Sequence, residues 1–453
     1  MNSMLSSAAA AMHGVLHGAD RMFDGVSTDT RSITRGQLFF ALQGPNFDGG
    51  KFVAAAADKG ASGAVVTERS NVKLAQIEVA DTRLALGKLG AAWRQQHAAT
   101  VVGVTGSNGK TTLKEMIAAC LAQTAPTLAT AGNLNNDIGL PLMLLRINAA
   151  HRFAVLEMGA NHAGEIAYLT SLAQPHVVVI SNAGTAHLEG FGSVTGVAEG
   201  KGEILRGKPR PRCAILNADD EFYEYWCSLA KDIDVISFGL GDGADVFASA
   251  IDPGMDATSF RLHLPAEEID IRLPLLGTHN VRNACAAAAV AIALEVSAMQ
   301  IKAALQSLSP VAGRLQPIAG LHGATLYDDS YNANPVSVRA AAEFLAALPG
   351  EKWMVLGDMG ELGAEAVALH RSVGEALNKA GIDRLFAVGP LSRETVAAFG
   401  DAGDWFASLD QLVASVSQQL GAGVSVLVKG SRSARMERVV NAIRAPQPIR
   451  QEA

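Results

Sequence analysis

The segment Thr105-Gly-Ser-Asn-Gly-Lys-Thr-Thr112 has the residue types and spacing of a phosphate-binding loop. Gly106 and Gly109 let the backbone come close to a phosphate, and the N–H groups of Ser107, Asn108 and the helix start at Thr111 and Thr112 would point at it. Lys110 would reach the outer phosphates, and the Thr111 hydroxyl would ligate Mg2+. The strict GxxxxGK[ST] spacing fails by one position, because its first glycine would fall on Val104; a glycine at 103, 106 and 109 stands instead. The plainer alternative is an ordinary Gly-rich strand-to-helix turn. The Lys-Thr pair directly after Gly109 favours the phosphate reading.

Phosphate transfer needs its charge neutralised by a cation with oxygen ligands. Glu157 closes an apolar run at 153–156, which would put its carboxylate at the carboxyl end of a parallel strand, where α/β sheets bind ligands. His187 follows the apolar run 177–180, and Lys201 lies in a helical stretch; by position alone they read as a loop histidine and a surface lysine. Asn280 and Asn283 stand at the start of an Ala-rich helical stretch that Thr278 would cap. Arg314, Asp329, Tyr331 and Asn332 follow, with Asn334 and Pro335 read as turn chemistry.

These groups need a framework. The 453 residues suggest two to four domains, and a composition 49% hydrophobic and 18% charged can bury sizeable cores. Short apolar runs at 101–104, 154–156, 177–180, 214–216, 354–356, 385–388 and 426–428 alternate with helical patterns. This predicts an α/β chain with parallel sheets covered on both faces. The expected division is 1–85, 86–312 and 313–453, with a long helix around 81–97 leading into the second part. A net charge of −7 argues against a general nucleic-acid binder. Four scattered cysteines without CxxC spacing fit reduced thiols in the cytoplasm. The first Lys or Arg is Arg21, which argues against a signal peptide. The longest apolar run, 284–294, falls short of the ~18 residues of a membrane span.

Taken together, the loop 105–112, Glu157, His187, Lys201 and Gly277-Thr-His-Asn-Val-Arg-Asn283 resemble the Mur ligase superfamily, which includes folylpolyglutamate synthases. The likeness runs across nearly the whole chain. It is closest to the members that add D-alanyl-D-alanine to UDP-N-acetylmuramoyl-tripeptide, on Gly132-Asn-Leu-Asn-Asn-Asp-Ile-Gly-Leu-Pro141, Asp328-Asp-Ser-Tyr-Asn-Ala-Asn-Pro335 and Leu356-Gly-Asp-Met-Gly-Glu-Leu-Gly363. It implies a central P-loop ATPase domain between a small N-terminal α/β domain and a C-terminal Rossmann-like domain. It also implies ATP, two Mg2+ ions, an acyl-phosphate intermediate and a monomer that works without nucleic acid or membrane insertion.

By the same resemblance, Thr111, Glu157 and His187 hold metal, and Lys201 is the lysine that carries a carbamate. Asn280 and, more weakly, Asn283 contact adenine; Arg314 meets phosphate, and Asp329 the ribose, beside Tyr331 and Asn332. Ser27, Thr30 and Arg31 hold the UDP moiety. Asn133, Asn135 and Asn136 hold the peptide of that substrate. The dipeptide meets Asp358, Glu361 and His370, with Lys429, Ser431 and Arg432 nearby. The rival readings are a sister amino-acid-adding or folylpolyglutamate-type ligase, a P-loop switch that makes no amide, and a structural protein with degenerate motifs.

Overall fold

The apolar runs form the strands of three large sheets in a computed structural model that describes residues 1–44 and 47–446. The first sheet has the order Val15–His17, Gln76–Glu78, Gly63–Val66, Leu38–Phe40, Val26–Ser27, parallel apart from Val15–His17. The second has nine strands. Thr127–Ala129, Phe153–Glu157, Thr100–Thr105, Val177–Ile180, Cys213–Asn217, Asp234–Gly239 and Val246–Pro253 are parallel, and Thr258–His263 and Glu268–Leu273 close the edge antiparallel. The third has the order Gln316–Ala319, Thr325–Asp329, Val424–Lys429, Glu351–Gly357, Arg384–Val388, Gly403–Phe406, with only its first strand antiparallel.

The central strands Phe153–Glu157, Val177–Ile180 and Cys213–Asn217 are buried throughout, as the unalternating apolar runs require. The helices Lys110–Ala122 and Thr278–Ala293 pack against each other on one face. Ala286 to Val290 have no exposed surface, and their small side chains permit that close packing. No described helix is long and apolar enough to cross a membrane.

The sheets also aim the site. Val104 pairs in register with Glu157 on one side of the central strand, and Thr105 with Ile180 on the other. The phosphate loop thus leaves the sheet between two neighbours reached in opposite directions, which is where open α/β sheets have their crevice. In the third sheet, Asp329 is in register with Lys429 at a second such point.

The helix Thr82–Gln95 runs straight through the limit expected at 85/86 and packs on Leu5–Met12 as well as on Gly139–Leu144 and Glu165–Ala173. The first and second sheets are therefore joined by a shared helix. Its start is fixed by Asp81, whose carboxylate accepts from the Arg83 N–H at 2.7 Å and the Leu84 N–H at 3.0 Å. Removing that cap in Asp81→Ala should cost about 1 kcal/mol, with Asp81→Asn nearly neutral. Urea unfolding of the two variants checks this; equal midpoints for Ala and Asn would show that the cap contributes nothing.

Candidate active site

The loop geometry follows from its glycines. Gly106 has φ +145° and Gly109 φ +80°, both in the region that side chains disfavour. A Cβ on Gly106 would also lie 2.0 Å from Ser181 Oγ. Ser181 Oγ donates to the Asn108 carbonyl at 2.8 Å, and the Asn108 N–H donates to Asn182 Oδ1 at 2.9 Å. The Gly184 N–H donates to Ser107 Oγ at 3.0 Å. The loop is thereby tied to the end of the neighbouring strand. Lys110 Nζ folds back on the carbonyl of Gly106 at 2.6 Å. Desolvation lowers the pKa of its ammonium and Arg314 lowers it further, against the opposing pull of Glu157 and Glu361.

Thr111 is the hub. Its hydroxyl donates to Glu157 Oε2 at 2.8 Å and accepts from Arg314 Nη2, from the third domain, at 2.8 Å. The other oxygen of Glu157 accepts from Asn135 Nδ2 at 2.8 Å. Asn334 Nδ2 donates to Asn108 Oδ1 at 2.7 Å, a second link between the loop and the third domain. Arg314 also lies over the Tyr331 ring at 4.4 Å. Asp329 Oδ2 accepts from Lys429 Nζ at 2.6 Å, and the same ammonium donates to the Asn332 carbonyl at 3.0 Å. These groups line one cleft of about 1080 Å³ between the second and third sheets.

Lys201 lies beneath the cleft and does not line it. It is fully buried, with Nζ 3.4 Å from the Ala160 carbonyl and 5.1 Å from the centre of the Phe191 ring. Burial, helped by the Lys110 charge and opposed by Glu165 and Glu203, pushes its ammonium down to about 7. A surface lysine is thus the wrong reading. His187 takes a left-handed φ of +61° and sets Nδ1 2.5 Å from Glu361 Oε2; Glu361 itself has φ +62°. The imidazole beside it keeps the Glu361 carboxyl below the usual carboxylate range.

The structure brings the phosphate-loop residues 107–112, Glu157, His187, Asn280, Asn283, Arg314, Asp329, Tyr331, Asn332, Asn133, Asn135 and Asn136 to this cleft, while Gly106 lies outside its lining. Several expectations change. Gly277, not Thr278, caps the helix Thr278–Ala293, and Asn280 Nδ2 donates back to the Leu276 carbonyl at 2.8 Å. Asn136 spends its oxygen on the Gly139 N–H at 2.9 Å. Asp358 is structural: its carboxylate accepts from the Ser392 N–H at 2.7 Å and Ser392 Oγ at 2.6 Å, which turns it away from a substrate role. His370 is fully buried, between the Met359 N–H at 3.0 Å and the Ala366 carbonyl at 2.7 Å. Lys429 faces Asp329 on the nucleotide side, and Arg432 pairs with Glu437 at 3.3 Å, outside the cleft lining. Ser27 ends a strand of the first sheet and Thr30 and Arg31 lie in the turn after it, outside the cleft lining; Arg31 is held by Asp29 at 2.7 Å.

Titratable lining residues that sequence reasoning missed include His279, Arg83, Asp137 and Tyr168. His279, whose imidazolium is pushed down to about 4 chiefly by burial, stood between residues already chosen. Arg83 and Tyr168 carried no motif, and Asp137 stood within the segment 132–141 without a role of its own. The reading of Asn334 as turn chemistry was half of its role, since it caps Pro335–Ala346 with its oxygen and reaches Asn108 with its nitrogen.

Residues 23–131, 104–291 and 313–432 match family models described as Mur ligase family, catalytic domain; Mur ligase middle domain; and Mur ligase, glutamate ligase domain. The chain is similar to the UDP-N-acetylmuramoyl-tripeptide--D-alanyl-D-alanine ligase of Escherichia coli (strain K12), 46% identical over 445 residues, covering 97% of this chain and 98% of that one. Its fold resembles the UDP-N-acetylmuramoylalanyl-D-glutamyl-2,6-diaminopimelate--D-alanyl-D-alanyl ligase of Acinetobacter baumannii, with TM-score 0.87, 39% identity, and 97% and 98% coverage. It also resembles the Thermotoga maritima MurF ligase solved with ADP, with TM-score 0.81, 27% identity, and 92% and 96% coverage.

The depressed Lys201 ammonium has a measurable consequence. The unfolded chain keeps the proton up to about 10.5 and the folded chain only to about 7, so folding carries its full penalty below 7 and sheds it as pH rises through that window. In bicarbonate-free buffer, Lys201→Met should therefore gain stability over the parent most strongly below about 7, with the gain shrinking towards 10.5. Denaturant titrations across pH test it; a difference independent of pH would mean that the folded-state amine does not titrate there.

Proposed function

The chain belongs to the Mur ligase family, and from that premise we propose that it joins D-alanyl-D-alanine to UDP-N-acetylmuramoyl-tripeptide in an ATP-driven amide synthesis. The product is the UDP-N-acetylmuramoyl-pentapeptide used for peptidoglycan. The observation that carries the reading is the single cleft built jointly by the phosphate loop and the third domain, in a chain similar over nearly its whole length to enzymes of that name. The reaction runs in the cytoplasm, on a monomer.

An oxygen of the peptide's terminal carboxylate attacks the γ-phosphorus, and the bond to the β-phosphate oxygen breaks, releasing ADP. The dipeptide amine then adds to the acyl-phosphate carbonyl, loses a proton, and the tetrahedral adduct expels phosphate as the amide forms. Both steps bring anions together, so aimed donors and cations set the rate. The N–H groups of the loop and Lys110 take the outer phosphates, and Arg314 approaches them from the third domain beside Thr111. Asp329 receives the ribose, and Asn280 and Asn283 the adenine edge.

The donor set suits Mg2+. Thr111 and Glu157 offer hard oxygens within 2.8 Å of each other, and this ion keeps most of its shell as water and phosphate, so no larger protein cage is needed. Bound there, it would neutralise charge on the transferring phosphoryl group. His187 is the candidate ligand for a second ion. Lys201, with its ammonium pushed down to about 7, has the neutral amine that must add CO2 to become a carbamate. The carbamate would turn a cation beside a cation site into an anion. Ser27, Thr30 and Arg31 remain proposals for the UDP end, and Asn133 and Asn135 for the peptide.

Phosphate release from Mg·ATP should require both the UDP-linked tripeptide and the dipeptide; release indifferent to the dipeptide points to a sister ligase or a switch. Lys110→Ala should lower turnover at least about a thousandfold, since the loop loses its phosphate-reaching cation. Near-normal release by that variant removes the loop assignment. Lys201→Ala should lose about 10–100-fold and regain part of it with short carboxylates that replace the carbamate. Full activity without them takes Lys201 out of the mechanism.

A further inference from the structure

The cleft has a second end, away from the phosphate loop. Its wall is made by the first turn of Thr82–Gln95, the turn 132–138 and the segment 161–169. Lys110, Arg314, Arg282 and Lys429 all belong to the nucleotide side, and the last two are paired with Asp219 and Asp329. Among the described lining residues, Arg83 is the one remaining Lys or Arg, and it stands at this second end. It meets Asp137 through Nη2 alone; among the described residues its Nε and Nη1 make no hydrogen bond. Both side chains stay partly open, at 44% and 34% exposure. The guanidinium is therefore anchored at Nη2, and its Nε and Nη1 hydrogens, with the second hydrogen of Nη2, stay available to an anion.

Two neighbours flank those donors. Tyr168 lies against the helix that carries Arg83, at a spot where a Cβ on Gly87 would come within 2.2 Å of its hydroxyl. Leu84, 51% exposed, offers an apolar surface beside it. A cation held by an acid, a phenol and an apolar flank together suit an extended peptide bearing an anionic group.

We propose that Arg83 receives a carboxylate of the peptide other than the one being activated, with Asp137 as the positioning residue for its guanidinium. The inference rests on the ligase reading above and deepens it. In an alanyl-D-glutamyl-2,6-diaminopimelyl peptide, the glutamyl residue uses one carboxyl in the chain and keeps one. The diaminopimelyl residue keeps one beside the carboxyl that reacts. Either free group, drawn from water into the cleft, needs a cationic partner. The shared chemistry is a second carboxylate on the same peptide.

Three peptides separate the sources: the parent, one with the free glutamyl carboxyl as its amide, and one with lysine in place of diaminopimelate. Initial rates of dipeptide-dependent phosphate release would be measured for the parent enzyme, Arg83→Leu, Arg83→Lys and Asp137→Asn. Loss of a charge-assisted contact should raise KM for the parent peptide about 10–100-fold in Arg83→Leu. The kcat should stay within about twofold, as expected for binding used equally before and during reaction. KM should be unmoved for the one analogue that lacks the carboxylate Arg83 reads, which identifies the source. Arg83→Lys should recover part of the loss, and Asp137→Asn should lose less than Arg83→Leu. An equal rise in KM for all three peptides, matched by Asp137→Asn, would make the pair a mere staple between helix and turn and overturn the proposal. An unchanged KM in Arg83→Leu would do the same. Absence of dipeptide-dependent release by the parent enzyme with every peptide would instead defeat the ligase reading itself.

Discussion

The hydroxyl of Thr111 is shared between Glu157 and Arg314, and the site depends on that sharing. Thr111 lies in the first turn of the helix that follows the phosphate loop, Glu157 ends the adjacent strand, and Arg314 comes from the next domain. One oxygen thus registers loop, sheet and third domain against each other. Asn334 to Asn108 and Glu361 to His187 repeat the arrangement on either side. Three polar links of this kind contribute modestly to stability, since hydrogen bonds exchange with water at a net gain of only about 0.5–1.5 kcal/mol each. Their effect is on geometry. They hold donors from two domains around one space, as phosphoryl transfer requires.

The electrostatic layout follows from the same construction. Lys110 and Arg314 concentrate positive charge at the loop, with Glu157 and Glu361 opposing it. Loss of water depresses the ammonium of Lys201, buried beneath, and the Lys110 charge adds to it. The lysine that a sequence reader takes for a solvated one is in fact fully buried. A buried amine that sheds its proton near neutrality is a nucleophile in waiting, and the enclosing Phe191 ring and Ala160 carbonyl leave it no partner carboxylate within salt-bridge distance among the described residues.

Much of this was legible in the residues. The apolar runs became strands, because a sheet covered on both faces admits no polar alternation. The loop was legible because its glycines and Lys-Thr pair have few other uses. Glu157 could be placed because a strand end is a position as well as a residue. What could not be read was direction. Asp358 and Lys429 occupy equivalent-looking places after third-sheet strands, yet one carboxylate turns inward onto Ser392 and the other side chain crosses to Asp329. Arg83 was invisible, since its only local signal is membership of a capped helix, and its partner Asp137 lies 54 residues away.

In the proposed reaction a carboxylate is made reactive by phosphorylation within this two-domain cleft. The most direct measurement uses UDP-N-acetylmuramoyl-tripeptide with its terminal carboxylate labelled with oxygen-18, turned over with Mg·ATP and D-alanyl-D-alanine. The phosphate released is then analysed by mass. Transfer of one labelled oxygen from the carboxylate to each phosphate is the predicted result, because the acyl-phosphate carries that oxygen to phosphorus before the amine displaces it. Unlabelled phosphate alongside amide product would contradict an acyl-phosphate, and with it the roles given to Lys110, Thr111 and Arg314.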